Sequence, residues 1–279
     1  MSYEYDVDKT FNVALEEQED EARVVEELRT GKRKFAYVRK TTKSGHTREI
    51  EIYPEFTRRE VRRKRGISRK QRVAQKNLND RNARRKLQRL IECNFGKGDL
   101  FITLTYDNDH LPESMERAVR NMQNYVKKLN RHRRKKKLKK ARYIYITEWN
   151  KKKKIRCHHH VLIDGEQSMD ELERLWPNGR RNNCRRVDEK SLDGLAAYLS
   201  KDPQGKKRWN ASKGLKKPKV TKSHQLRKKH LRKMLEDREE IEKYAIKQYP
   251  RCQVVEARRF FNEINNMVYI YIKVKEIEG

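Results

Sequence analysis

Arg156-Cys157-His158-His159-His160-Val161-Leu162-Ile163-Asp164-Gly165 decides how the rest of this chain is read. The apolar run Val161-Leu162-Ile163 marks a strand entering a core, since a polar surface tract would not carry it. Side chains alternate along a strand, so His158 and His160 share one face about 7 Å apart, with Leu162 following on that side. Two imidazoles so placed can grip one divalent metal ion. His159 points the other way and is expected to pack or to make a surface contact.

The strand before it supplies a third candidate ligand. Arg142-Tyr143-Ile144-Tyr145-Ile146-Thr147-Glu148-Trp149 is rich in β-branched and aromatic residues. With a loop over 150–154, Trp149 pairs with Ile155, and Glu148 falls on the face of His158 and His160, diagonal to His158. Two imidazoles and one carboxylate leave metal positions open for water and substrate. A slip of one residue in register would take Glu148 out of the group. The competing role for Glu148 is an ion pair with Arg156.

Composition says what such a strand would serve. The 279 residues suffice for one large domain or two small ones, and Lys+Arg 72 against Asp+Glu 40 gives a net charge of +32. Phosphate polyanions are the natural partner for that field. A metal-dependent enzyme acting on nucleic acid fits, as does a ribosomal or packaging protein that only neutralises RNA or DNA. The four cysteines, Cys93, Cys157, Cys184 and Cys252, form no CxxC pair. A zinc ribbon and a disulfide framework therefore have no support, and reduced thiols are expected. No signal peptide is apparent and no apolar run approaches membrane-spanning length, so a soluble, cytoplasmic protein without membrane contact is expected.

Along the chain, residues 1 to about 30 hold the one acidic block, read as a disordered arm or a helix on a basic face. A hairpin follows, Phe35–Val38 and Arg48–Tyr53, turning near Lys43-Ser44-Gly45. Residues 58–91 are basic and read as helical, with Leu78, Leu87, Leu90 and Ile91 as a partial apolar stripe. After Gly96-Lys97-Gly98-Asp99, the segment Phe101–Tyr106 reads as a buried strand. Met115, Val119, Met122, Val126 and Leu129 then recur at helical spacing behind Ser114 as N-cap. A basic run at 131–140 precedes the next strand. Ser168-Met169-Asp170-Glu171 has the form of a capping box before Leu172, Leu175 and Trp176. A helix is expected over about Leu192–Lys201. The tail adds a basic segment at 205–233, a mixed-charge helix and a hairpin of Gln253–Val255 with Val268–Ile272. The order strand, helix, strand, strand, helix predicts an antiparallel α+β sandwich.

The helix at 192–201 carries Tyr198 and Lys201 one turn apart. They lie on a side distinct from Leu192, Leu195, Ala196 and Leu199. A phenol of pKa about 10 needs help to ionise at neutral pH. A nearby ammonium favours the phenolate or screens a phosphate under attack, so the pair suits a nucleophile.

Phe101-Ile102-Thr103-Leu104-Thr105, His158-His159-His160 and Tyr198-Leu199-Ser200-Lys201 resemble, in order and spacing, motifs I, II and III of the HUH endonucleases. The likeness is nearest to the single-tyrosine rolling-circle replication initiators of small phages, plasmids and viruses. Their motif II is His, a bulky residue, His, and their motif III is Tyr-x-x-Lys. A carboxylate ten residues before the first histidine matches Glu148. Leu175-Trp176-Pro177-Asn178-Gly179 and Arg208–Leu215 also look like phage-type members. The resemblance covers residues 96–218. It departs in two places: the middle residue, usually apolar or aromatic, is His159, and no GxxxxGK[ST] run supplies a helicase.

The resemblance implies an α+β fold, an RRM-like antiparallel sheet with packed helices, here with basic helical N- and C-terminal extensions. It divides the chain into 1–95 (acidic arm, hairpin and basic helix), 96–218 (endonuclease core) and 219–279 (helix and hairpin). It further implies that His158, His160 and Glu148 hold a divalent ion, Mg²⁺ or Mn²⁺, and that Tyr198, aided by Lys201, attacks the scissile phosphate. The products are a 5′-phosphotyrosyl adduct and a 3′-OH primer, with strands rejoined afterwards. Partners would be single-stranded origin DNA and the separate helicase and polymerase of a bacterial host. A non-catalytic DNA-binding relative, a relaxase or transposase, and another enzyme with a two-histidine, one-carboxylate metal remain alternatives. The oligomeric state stays open.

Overall fold

The computed structural model describes residues 21–56, 69–150, 154–188, 194–195, 209–262 and 267–277. Among these there are two antiparallel five-stranded sheets and six α-helices, an α+β fold consistent with the RRM-like expectation. The chain forms two compact units, one of residues 68–217 and one joining 1–67 to 218–279. The division expected from the sequence, at 95 and 218, differs from this at its first boundary. The long basic helix goes with the central residues, and the two ends of the chain build one sheet.

In the central unit the elements are α2 (Arg69–Asn94), β3 (Leu100–Leu104), α3 (Met115–Lys135), β4 (Tyr143–Asn150), β5 (Ile155–Ile163), α4 (Met169–Arg174), β6 (Asn183–Arg186) and β7 (Asn210–Ala211). The sheet order is β6-β3-β5-β4-β7, so the histidine strand β5 is central. Leu100, Ile102, Leu104, Tyr145, Cys157, Val161 and Ile163 face α3 and α4 on one side. Phe101, Ile144, Ile146 and Leu162 occupy the other side, packed with Leu87 and Ile91 of α2, Val187 and Leu195. Alternation of side chains thus yields two apolar faces from single strands.

Ser114 and Ser168 accept hydrogen bonds from the backbone N–H of Arg117 and Glu171, as N-caps do. The buried row of α3 differs from the expected one. It is Ala118, Met122, Tyr125, Leu129 and Arg133, while Met115, Val119 and Val126 sit at its margins. Two polar anchors set this rotation. Tyr125 donates its hydroxyl to the Leu172 carbonyl at 3.0 Å. Arg133, fully buried, pairs with Asp164 at 2.6 Å and donates Nε to Gln167 at 3.0 Å.

The second unit contains α1 (Glu21–Thr30), β1 (Phe35–Ser44), β2 (Thr47–Phe56), β8 (Lys219–Ser223), α5 (Lys228–Glu236), α6 (Arg238–Gln248), β9 (Cys252–Asn262) and β10 (Met267–Glu276). Its sheet runs β8-β1-β2-β10-β9. Ile50, Ile52, Ile270 and Ile272 form its core with Leu231, Met234, Leu235 and Ile241 of α5 and α6. The C-terminal hairpin is longer than its sequence suggests, and the 205–233 segment yields an edge strand where the sequence shows only a basic tract. The four cysteines are free thiols. No helix among the described residues is long and apolar enough to cross a membrane.

Candidate metal centre

Near its N-terminal end, β5 brings together the three residues the sequence nominates. Glu148 Oε2 lies 3.4 Å from His158 Nε2 and 3.6 Å from His160 Nε2, and the two Nε2 atoms are 2.9 Å apart. The carboxylate contacts are too long for good hydrogen bonds. They suit ligands sharing one ion, whose bonds of about 2.1 Å space adjacent ligand atoms by about 3.0–3.4 Å. Among the described residues this is the only group of three or more such side chains with ligand atoms close enough to hold a metal. The His160 side chain is 4% exposed, and those of His158 and Glu148 are 20% and 22% exposed, so the group opens to solvent on one side.

Glu148 reaches the group by a route that a simple hairpin does not contain. Asn150, not Trp149, pairs with Ile155, which is the slip that would lose the carboxylate. The register then shifts by one, so that Arg156 and Cys157 together face Trp149, and Glu148 stands directly opposite His158. Without this bulge Glu148 would face Cys157 and share its core side. Trp149 packs with the core on that side instead. Arg156 does not take Glu148 as its partner; it donates to the Tyr106 carbonyl at 2.9 Å.

The outer atoms of the two rings are also held. His158 Nδ1 lies 2.8 Å from the Arg156 carbonyl, an acceptor only, so Nδ1 carries the hydrogen and Nε2 presents its lone pair. His160 Nδ1 lies 3.0 Å from the Thr103 hydroxyl, which can donate or accept. With Thr103 donating, His160 Nε2–H can bond to His158 Nε2. With Thr103 accepting, both Nε2 lone pairs face a shared cation. The donor set and its supports therefore fit a divalent ion. Phe101 stacks on His160 with centroids 5.7 Å apart, and the Arg185 guanidinium lies 5.5 Å from the Phe101 ring centre.

His159 is fully buried on the reverse face. Its Nδ1 lies 2.9 Å from Thr147 Oγ1, and its Nε2 2.8 Å from the Tyr106 hydroxyl. Burial, with smaller contributions from His158 and His160, pushes its pKa down to about 3, so the ring is neutral. The Tyr106 phenol is pushed up, also by burial. Trp176 packs edge-on against His159 and Tyr106, and its indole N–H donates to the Thr105 carbonyl at 2.6 Å. The Leu175–Gly179 segment thus straps the end of β3. Gly179 is required there, because a Cβ would lie 2.3 Å from the Thr105 carbonyl oxygen.

Thr103, Thr147, Tyr106 and Phe101 have no assigned role in the sequence reading. The signal for Thr103 is available there: alternation from Phe101 places it on the histidine face of the neighbouring strand. Tyr198 and Lys201 lie outside the described residues. Leu195, three positions before Tyr198, is buried in the cluster on the histidine face.

Fold and site together define an α+β unit with a two-histidine, one-carboxylate group on its central strand. Residues 99–203 match the family model of the replication-associated proteins of the ORF2 type. That span holds β3, β4 and β5 entire, with the Tyr198–Lys201 segment, and the match supports a role in initiating replication. No curated protein and no solved structure matches the chain.

Proposed function

We propose that the chain is a rolling-circle replication initiator that nicks single-stranded origin DNA with Tyr198 as nucleophile and later rejoins the strands. The observation that carries this reading is the convergence of Glu148, His158 and His160 within the matched span. The packing of Leu195 on the histidine face supports Tyr198 as the residue delivered to that group.

Glu148, His158 and His160 would hold Mg²⁺ or Mn²⁺, which when bound serves as a Lewis acid toward a phosphate oxygen. The Tyr198 oxygen forms a bond to phosphorus as the bond from phosphorus to the 3′ oxygen breaks. The phenol gives up its proton and the departing oxygen gains one, leaving a 5′-phosphotyrosyl ester and a 3′-OH that primes synthesis. Lys201 favours the ionised phenol or offsets charge on the phosphate. The ester keeps the bond energy, so attack by a 3′-OH rejoins DNA without a nucleotide cofactor. Unwinding and synthesis fall to separate host proteins, in the cytoplasm of a bacterial cell.

The test is a covalent-adduct assay with the full chain, Mn²⁺ and labelled single-stranded origin DNA. An SDS-resistant adduct is expected, and Tyr198→Phe should abolish it while DNA binding persists. An adduct of undiminished yield in that variant would overturn the assignment of Tyr198.

A further inference from the structure

Between Arg117 and Lys135, α3 exposes seven lysines and arginines and carries no acidic residue. At 1.5 Å per residue this stretch is about 27 Å long. Arg117, Arg120, Lys127, Arg131 and Arg134 fall in one row at helical spacing, with Asn124 in the remaining place. The row lies opposite the buried residues Ala118, Met122, Tyr125 and Leu129.

Like charges one turn apart destabilise a helix, so folding does not call for such a row. Elsewhere the chain interleaves acids with its surface cations: Arg232 pairs with Glu236 at 3.0 Å and Lys243 with Glu240 at 3.0 Å. A straight line of cations also fits a linear polyanion better than a compact acidic patch. Position then narrows the role. The buried side of α3 packs on Leu100, Ile102, Leu104, Val161 and Ile163. That is the sheet surface opposite the one that bears His158, His160 and Glu148. DNA at the metal group and a backbone along α3 are therefore separated by the sheet and a layer of helix.

We propose that the exposed row of α3 grips the phosphate backbone of the same DNA outside the segment presented to the metal group, so that the DNA is held on both sides of the central sheet. This rests on the reading of the chain as a DNA-binding enzyme. The row would anchor flanking DNA while the scissile segment is exchanged at the other face.

The test compares the full chain with the variant Arg120→Gln/Lys127→Gln/Arg131→Gln/Arg134→Gln on two labelled single strands. One is of about 12 nucleotides, the footprint of a single site, and one is about four times longer. Affinity is measured at several salt concentrations, with Mn²⁺ binding as a check on the metal group. For the long strand, the slope of log affinity on log salt should flatten by about 0.7 per lost phosphate contact, or about 3 in all. The short strand and Mn²⁺ should bind unchanged. An unchanged slope on the long strand would overturn the proposal, and so would equal weakening on both lengths. If the unaltered chain bound neither strand, the proposed function would fall as well.

Discussion

Three successive histidines on one strand meet two different environments. His158 and His160 turn their Nε2 atoms toward each other and toward Glu148, on a face that opens to solvent. His159 is sealed between Tyr106, Thr147 and Trp176, with both ring nitrogens engaged. The residue type is the same, so chemistry is decided by which side of the sheet a position faces and by what that side offers. On the metal face each ring has one nitrogen fixed and one left for a ligand. On the core face nothing is left over. This also explains how a polar residue replaces the apolar or aromatic one expected between the two ligands: Thr147 and Tyr106 satisfy it.

The comparison can be broken by exchanging the fates of the two faces. The largest effect is expected from His160→Ala or His158→Ala. Each should abolish metal-dependent cleavage and weaken Mn²⁺ binding, seen by calorimetry, beyond the roughly 10–100-fold typical of losing an outer partner. EDTA should abolish cleavage by the unaltered chain. Thr103→Val removes the hydroxyl that fixes the His160 ring, and it should cost about 10–100-fold in metal affinity with the fold intact. His159→Leu should leave metal affinity nearly unchanged while stranding the buried Tyr106 and Thr147 hydroxyls. A loss of about 1–3 kcal/mol in denaturant unfolding is expected. The smallest effect sharpens the core side alone: Ser114→Ala removes the cap of α3 and should cost about 1 kcal/mol of stability without touching metal binding.

Much of this contrast is legible in the sequence because alternation is a local rule. The apolar flank Val161–Ile163 identifies the strand, and the period of two then separates His159 from its neighbours. Glu148 falls on the right face for an incomplete reason. The pairing of Trp149 with Ile155 does not occur, and the bulge opposite Trp149 restores what the slipped end would lose. No local pattern marks such a bulge, since it depends on how Trp149 and Cys157 pack beneath the sheet. The rotation of α3 escapes for a similar reason. Methionine and valine spacing suggests one row, but Tyr125 and Arg133 find buried polar partners on α4 and on the segment after β5, far along the chain. The second sheet shows in the sequence only as separate hairpins. Its defining pairing, Ile52 with Ile270, joins residues at opposite ends of the sequence, where no period could connect them.

The most direct test of the two-faced strand is the Mn²⁺-dependent yield of the SDS-resistant DNA adduct in His160→Ala and His159→Leu, at a temperature where both remain folded. The metal-face assignment requires no adduct from His160→Ala and near-normal yield from His159→Leu. An adduct that survives loss of His160 but vanishes with His159 would contradict it, and would place the working face of β5 on the other side of the sheet.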